Sequence, residues 1–208
     1  MSDLEQIRAE VTGCTRCPLA GGRTKTVPGE GPADAEIMLI GEGPGFNEDK
    51  QGRPFVGQAG HLLEELLVSI GLTRTDVFIT NVVKCRPPGN RDPMPSEIAA
   101  CSDYLDRQIA AIRPKIIATL GRHSMAKFLP GKTISRIHGQ PVRWGDGVVL
   151  PLYHPAAALH QQALRPVLFE DFKKLADLLS RARRAAAVSA AAPGAGPAQA
   201  QPKQLSMF

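Results

Sequence analysis

The chain has 208 residues, of which 22% are charged and 43% hydrophobic, a composition typical of a globular protein. No apolar run reaches the roughly 18 residues of a membrane span, and the N-terminus lacks the basic-then-apolar order of a secretory signal. We therefore expect a soluble, cytoplasmic protein with no membrane partner. Lysine and arginine (25) outnumber aspartate and glutamate (20), a net charge of +5 that is compatible with a polyanionic partner.

Short apolar runs alternate with amphipathic segments through residues 1–183. The spacing predicts strands at 36–40, 77–83, 115–120 and 148–152, and helices at 61–71, 96–112 and 166–184. Strands separated by helices indicate an α/β protein with a parallel sheet. Such sheets bind ligands beyond the carboxyl ends of their strands, where the polar and Gly-rich segments of this chain fall.

The composition changes near residue 185. Residues 184–203 are mostly small or polar and cannot bury enough surface to offset their ordering entropy, so we predict a disordered linker there. Large apolar side chains return at 204–208, which read Gln-Leu-Ser-Met-Phe. The predicted organisation is one folded domain at 1–183, a linker at 184–203 and a terminal peptide at 204–208.

Four cysteines suggest a metal site. Cys14 and Cys17 form a C-x2-C pair, Cys85 ends the second predicted strand, and Cys101 follows after fifteen residues inside a helix. Four thiolates suit zinc or an iron–sulfur cluster, and the widely split second pair favours a cubane cluster over a zinc ribbon. The alternative is that Cys85 and Cys101 are ordinary buried residues.

Candidate binding residues follow the predicted strands. The loop 41–45, Gly-Glu-Gly-Pro-Gly, lacks the G-x-G-x-x-G pattern of dinucleotide loops and is expected to bring backbone N–H groups and Glu42 close to a small flat ligand. Phe55 either stacks on a base or anchors its loop. Asn81 either reads a base edge or clamps a loop. The proline after His154 fixes this histidine at a corner facing the crevice.

These segments occur in one order: Gly41-Glu42-Gly43-Pro44-Gly45, Gly52-Arg53-Pro54-Phe55-Val56-Gly57, Asn81-Val82-Val83-Lys84-Cys85 and His154-Pro155-Ala156-Ala157. With the cysteines, the set resembles the family 4 uracil-DNA glycosylases, the iron–sulfur branch of their superfamily, over about residues 4 to 180. The resemblance implies a three-layer α/β fold with a four-stranded parallel sheet between helices. It also implies a [4Fe-4S] cluster on Cys14, Cys17, Cys85 and Cys101.

The resemblance implies a base excision repair enzyme that hydrolyses the N-glycosidic bond of a flipped-out uracil in DNA. His154 would donate to the uracil O2 and stabilise the leaving anion. Asn81 would bond O4 and N3–H, Phe55 would stack on the ring, and the backbone of Gly41–Gly43 would meet the base edge. We expect the enzyme to act as a monomer.

The water-activating group is predicted to be Glu42. Better-known branches of the superfamily carry an Asp or Asn where this chain has Gly43, so Glu42 is the nearest carboxylate. Asn47 and Asp49 are the candidates behind it.

An alternative function rests on Ser135-Arg136-Ile137-His138-Gly139. At Arg-Ile-His this segment resembles a loop of a sister branch that is trapped covalently on the abasic sugar through its histidine. A uracil-DNA-binding protein that reacts through His138 without turnover is therefore the second hypothesis, and a phosphate or loop contact is the other role for this residue. A zinc-dependent regulator is a third hypothesis.

Two further segments suggest partners. The loop 84–91 carries Lys84, Arg86, Asn90 and Arg91, which either bind DNA phosphates or are solvated charges. The terminal peptide resembles the short Gln-Leu-Ser/Asp-Leu-Phe segment that docks bacterial proteins on the replication sliding clamp, with a Met in place of the second Leu. The residues that would dock are Gln204, Leu205, Met207 and Phe208.

Overall fold

Helices and strands alternate through residues 2–191, the part of the chain that the computed structural model describes. The elements are α1 (Asp3–Thr12), β1 (Ile37–Gly41), α2 (Phe46–Gln51), α3 (Gln58–Val68), β2 (Phe78–Asn81), α4 (Pro95–Ile112), β3 (Ile116–Leu120), α5 (Arg122–Phe128), α6 (Ile134–Ile137), β4 (Val142–Trp144), β5 (Gly147–Leu152), α7 (Pro155–His160) and α8 (Leu164–Ala191). None of these helices is long and apolar enough to cross a bilayer.

The sheet has five strands in the order β2-β1-β3-β5-β4. The four predicted strands pair in parallel, but the prediction of a four-stranded sheet is wrong, because β4 adds an antiparallel edge. β4 has three residues, too few for a periodicity to show. It joins β5 through a tight hairpin in which Trp144 pairs with Gly147 and Gly145 has a positive φ of 55°.

Apolar side chains cover both faces of the sheet, which confirms the three-layer α/β architecture. Along β1, Leu39 belongs to the core layer that contains Leu63 of α3 and Phe172 of α8, whereas Ile40 belongs to the layer that contains Ile109 of α4. Successive residues of a strand point to opposite faces, so a strand buried on both sides is apolar throughout. The sheet therefore holds its carboxyl ends in fixed positions beneath the loops that follow them.

The last helix is longer than predicted. α8 runs from Leu164 to Ala191, whereas the sequence predicts an end at Arg184. Alanine has the highest helix propensity of all residues, so the run at 185–187 extends the helix into the segment predicted as a linker. The rest of that linker and the terminal peptide 204–208 lie outside the described residues.

Candidate active site

A cleft of about 330 Å³ opens at the carboxyl ends of the parallel strands. The loops after β1, β2 and β5 form its walls, at the edge of the sheet where the sequence predicts ligand binding. Five of the predicted site residues line this cleft: Glu42, Gly43, Phe55, Asn81 and His154. The structure therefore brings together groups that are more than 100 residues apart in the sequence.

The two predicted glycines are required by close packing. A Cβ on Gly41 would lie 2.4 Å from Oδ1 of Asn81 and 2.7 Å from Cζ of Phe55. A Cβ on Gly43 would lie 2.8 Å from Cγ2 of Val83. Any larger residue would push these neighbours away, so both glycines let the wall of the cleft approach the backbone of β1 and its loop.

His154 is held as a neutral hydrogen-bond donor. It is the N-cap of α7, and its Nδ1 accepts the backbone N–H of Ala156 at 3.1 Å. In the neutral ring the proton is therefore on Nε2. Surrounding protein atoms desolvate the partly exposed imidazole and lower the pKa of His154 to about 4, so the ring is uncharged at neutral pH.

The ring of Phe55 stacks on that of His154, with ring centroids 5.5 Å apart and an angle of 24° between the planes. Phe55 is only 5% exposed and has a positive φ of 52°, which is unusual for a bulky residue. The sequence offers base stacking and loop anchoring as alternatives for this residue. The structure shows a buried aromatic that also lines the cleft, so the two roles are compatible.

Asn81 carries an unpaired acceptor. Its side chain is 2% exposed, and Oδ1 has no hydrogen-bond partner among the described residues. A buried polar atom without a partner costs about 1–3 kcal/mol. Because Asn81 ends β2 and lines the cleft, this oxygen can accept an N–H group of a molecule that enters the cleft.

Glu42 lies at the rim of the cleft beside a charged group that the sequence does not reveal. Its Oε2 is 3.7 Å from Nε2 of His123, which is 3.2 Å from Oδ2 of Asp92, and Asp92 pairs with Arg122. Burial raises the pKa of Glu42 above its usual value, the negative charge of Asp92 raises it further, and His123 opposes the rise. These three neighbours come from α5 and the loop after β2.

Glu48 also lines the cleft, and sequence reasoning missed it. Its Oε1 accepts the backbone N–H groups of Val56 at 2.8 Å and Gly57 at 2.9 Å, and its Oε2 accepts that of Gly45 at 3.1 Å. Glu48 thus ties the loop after β1 to the loop that carries Phe55. Its position three residues after the N-cap Gly45, where a glutamate side chain can accept the N–H of the N-cap residue, is a signal that the sequence contains.

The two residues predicted to stand behind Glu42 are not in the cleft wall. Asp49 is buried, and its Oδ1 accepts the backbone N–H of Thr24 at 2.8 Å, so it fixes a distant loop. Asn47 is exposed on α2.

The four cysteines face one small cavity between the end of α1, the loop after β2 and α4. Backbone or guanidinium N–H groups point at three of the sulfurs: Lys84 to Cys101 at 3.3 Å, Arg23 to Cys85 at 3.3 Å and Arg16 to Cys14 at 3.5 Å. Burial raises the pKa of the Cys85 and Cys101 thiols, and these donors oppose the rise.

The interpretation of Lys84 as a phosphate ligand is wrong. Its side chain is 1% exposed, and its Nζ donates to Oγ1 of Thr80 at 2.6 Å, the carbonyl of Asn81 at 2.8 Å and Oε1 of Gln108 at 2.7 Å. Burial lowers the pKa of Lys84 to about 7.

The other three predicted phosphate-binding residues of this loop, Arg86, Asn90 and Arg91, are partly or fully exposed. Asn90 and Arg91 line the cleft, and Arg91 pairs with the buried Glu97 at 2.7 Å. Nε of Arg86 donates to Oδ1 of Asn90 at 2.7 Å.

His138 is outside the wall of the cleft. Its Nδ1 lies 2.6 Å from Oδ2 of the buried Asp171, and its ring packs against Tyr153 with centroids 4.7 Å apart. This pairing is the loop contact that the sequence offered as the other role of His138. Among the described residues, no contact of His138 supports covalent trapping.

Comparison with known proteins defines the class. The profile of the Uracil DNA glycosylase superfamily matches residues 28–177, which is more than half of the chain. Three proteins named Type-4 uracil-DNA glycosylase are among the similar sequences. The protein of Sulfurisphaera tokodaii is 53% identical over 88% of each chain. The protein of Archaeoglobus fulgidus is 49% identical over 87% of this chain and 96% of its own length. The protein of Thermotoga maritima is 45% identical over 86% of this chain and 95% of its own length. The chain therefore belongs to the type-4 family of the uracil-DNA glycosylase superfamily.

Proposed function

We propose that this chain removes uracil from DNA by hydrolysing its N-glycosidic bond, leaving an abasic site for base excision repair. The observation that carries the proposal is the pair of groups in one cleft: the Nε2–H donor of neutral His154 and the unpaired Oδ1 of Asn81. The edge of uracil offers an acceptor for the first group and an N–H for the second. The type-4 relatives support the same activity.

Asn81 supplies the selection against cytosine. The Oδ1 of Asn81 accepts the N3–H of uracil, and its amide N–H group donates to O4. Cytosine has an unprotonated N3 and an amino group at these positions, so both contacts become unfavourable. The discrimination comes from leaving buried polar groups unpaired, which rejects a wrong ligand more strongly than the loss of an apolar contact does.

His154 stabilises the leaving group. As the bond between N1 and the sugar breaks, negative charge develops on the uracil oxygens, and Nε2–H of His154 donates to O2. A neutral imidazole retains this proton, and the stack on Phe55 fixes the orientation of the ring. The backbone of Gly41–Gly43 meets the base edge, and the two glycines carry no Cβ that would displace Asn81 and Phe55 from the site.

Glu42 orients the attacking water. Its carboxylate is at the rim of the cleft, and His123 and Asp92 limit its movement from the outer side. The negative charge also stabilises the oxocarbenium-like sugar that forms as uracil leaves.

We further propose that Cys14, Cys17, Cys85 and Cys101 ligate a [4Fe-4S] cluster. A single tetrahedral zinc with bonds of about 2.3 Å would require its sulfurs about 3.8 Å apart. In the described part of the chain, the one set of three candidate ligands within 4.8 Å of one another is Glu42, Asp92 and His123, so no three of the sulfurs lie that close together. A cubane accepts this wider set, because each cysteine binds a different iron.

The donor set fits such a group chemically. N–H groups aimed at sulfurs stabilise thiolates and are common around iron–sulfur clusters. The cluster would supply a covalent link between the N-terminal segment, the loop after β2 and α4. A purified protein that is brown and absorbs at about 400 nm supports this proposal, and a colourless protein that contains zinc contradicts it.

A uracil-release assay tests the function. Single- and double-stranded oligonucleotides with one uracil should yield free uracil and an alkali-labile site, whereas matched oligonucleotides with thymine or cytosine should not. On a denaturing gel the protein should migrate free of DNA. A boil-resistant shifted band would instead identify covalent trapping. Cytoplasmic location and the monomeric state stay predictions.

A further inference from the structure

Phe46 is an exposed aromatic directly beside the wall of the cleft. It is the first residue of α2 and directly follows Gly45, which lines the cleft. Its side chain is 48% exposed, although single exposed apolar residues are common on protein surfaces. Its position, between the wall of the cleft and open solvent, is therefore the informative feature.

Two cationic side chains lie over the ring of Phe46. Nζ of Lys50 lies 4.2 Å from the ring centroid, and the guanidinium carbon of Arg86 lies 5.0 Å from it. Lys50 belongs to α2, whereas Arg86 comes from the loop after β2, so the ring of Phe46 links these two segments beside the cleft. The contact between Arg86 and Asn90, which lines the cleft, places this group at the rim.

The charges of these two residues are uncompensated within the described chain. None of the ion pairs formed by residues 2–191 includes Lys50 or Arg86. Nearby Arg91, by contrast, is neutralised by Glu97. Two unpaired cations around an exposed aromatic ring form a surface complementary to a phosphate chain that carries flat bases.

We propose that Phe46, Lys50 and Arg86 form a stacking platform for the DNA nucleotide next to the flipped uracil. This inference rests on the proposed function. When uracil leaves the stack, its neighbour loses a stacking partner on one side. In the complex Lys50 and Arg86 move off the ring of Phe46 and bind the phosphates on either side of the flipped residue. The uncovered face of the ring then replaces the lost stacking partner.

The platform acts on DNA binding and not on bond cleavage. Single-turnover uracil release from single-stranded DNA, measured over a range of protein concentrations, separates the half-saturating concentration from the maximal rate. We expect Phe46→Ala and Phe46→Leu to raise the half-saturating concentration by at least about fivefold, because leucine keeps apolar bulk but not the flat face. The maximal rate of both variants should stay within about twofold of the wild-type rate. Phe46→Trp keeps a flat aromatic face, so its half-saturating concentration should be close to that of the wild type.

Matched variants separate stacking from general surface effects. Trp144 is an exposed aromatic on the edge strand β4, away from the loops that line the cleft, so Trp144→Leu should leave the half-saturating concentration unchanged. Lys50→Gln should lower the slope of log affinity against log salt by about 0.7, the value expected for one phosphate contact on a single strand. Lys173→Gln, an exposed lysine of α8, is its control and should leave the slope unchanged.

The outcomes distinguish failure of the platform from failure of the proposed function. If the wild-type protein releases uracil and both Phe46→Ala and Phe46→Leu bind as wild type does, the platform is wrong and the glycosylase function stands. If the wild-type protein neither binds nor cleaves uracil-containing DNA, both proposals fail. If Phe46→Leu binds as wild type does while Phe46→Ala is weak, the residue supplies apolar packing alone, which also overturns base stacking.

Discussion

A hydrogen bond to Ala156, two residues along the chain, determines which ring nitrogen of His154 carries the proton. Because Nδ1 accepts the N–H of Ala156, the Nε2 proton is left for the ligand. The sequence predicts that this histidine faces the crevice, since Pro155 restricts the backbone before it. It does not predict the tautomer or the pKa of about 4, because these depend on burial by residues from other loops.

At the same scale, the role of Glu42 is open to a direct test. Glu42→Gln should lower single-turnover excision by at least about tenfold, on the order of 1.4 kcal/mol in the barrier, because the amide cannot polarise water as a carboxylate does. Glu170→Gln, an exposed residue of α8, is the control. Undiminished excision would remove Glu42 from the mechanism.

The pH dependence of excision follows from the raised pKa of Glu42. Burial disfavours the charged carboxylate, so its acid form persists to a higher pH than for an ordinary glutamate. Since the carboxylate is the active form, the rate should fall as the pH drops through that raised pKa. The Glu42→Gln variant should lack this acidic limb in a single-turnover pH profile, and a limb of the same size in both proteins would contradict the assignment.

At the scale of the elements, three backbone contacts of Glu48 hold the loop of Phe55 in place. Glu48→Ala would leave the N–H groups of Gly45, Val56 and Gly57 without this acceptor. We expect the free energy of unfolding to fall by at least about 1 kcal/mol in urea denaturation. Asn47→Ala on the same helix is the control. Equal stability of the two variants would show that the contacts of Glu48 do not hold this loop in place.

The sequence predicts long elements better than short ones. The four parallel strands and α4 were found because several consecutive apolar residues carry the pattern. β4 was missed because its three residues form a strand only through pairing with β5. The group of Glu42, Asp92 and His123 was missed for a related reason: its members meet only after β1, α5 and the loop after β2 are assembled.

For the molecule as a whole, the cysteine cavity is expected to join the N-terminal segment to the α/β core. Cys101→Ser should abolish absorbance at about 400 nm and lower the thermal midpoint by at least about 4 °C, because one ligand of the proposed cluster is lost. Ser102→Ala, at the neighbouring half-buried position of α4, is the control. A variant with the absorbance and midpoint of the wild type would show that Cys101 is an ordinary buried residue.

The terminal peptide allows a separate prediction about assembly. Deletion of residues 204–208 should abolish binding to a bacterial sliding clamp in surface plasmon resonance, because the apolar side chains of this segment are predicted to fill the pocket of the clamp. Uracil release from a free oligonucleotide should not change, since the cleft is built from residues 42–156. Clamp binding that survives the deletion, or that the full chain lacks, would contradict the prediction.

Single-turnover release of free uracil by the His154→Leu variant tests the central claim most directly. Leucine keeps apolar volume beside Phe55 but removes the N–H donor, so we expect the rate to fall by at least about a hundredfold. Binding of uracil-containing DNA should remain close to that of the wild type, and the free energy of unfolding should fall by only about 1 kcal/mol, because leucine cannot cap α7 as Nδ1 of His154 does. Release of uracil at the wild-type rate would contradict stabilisation of the leaving group by this imidazole.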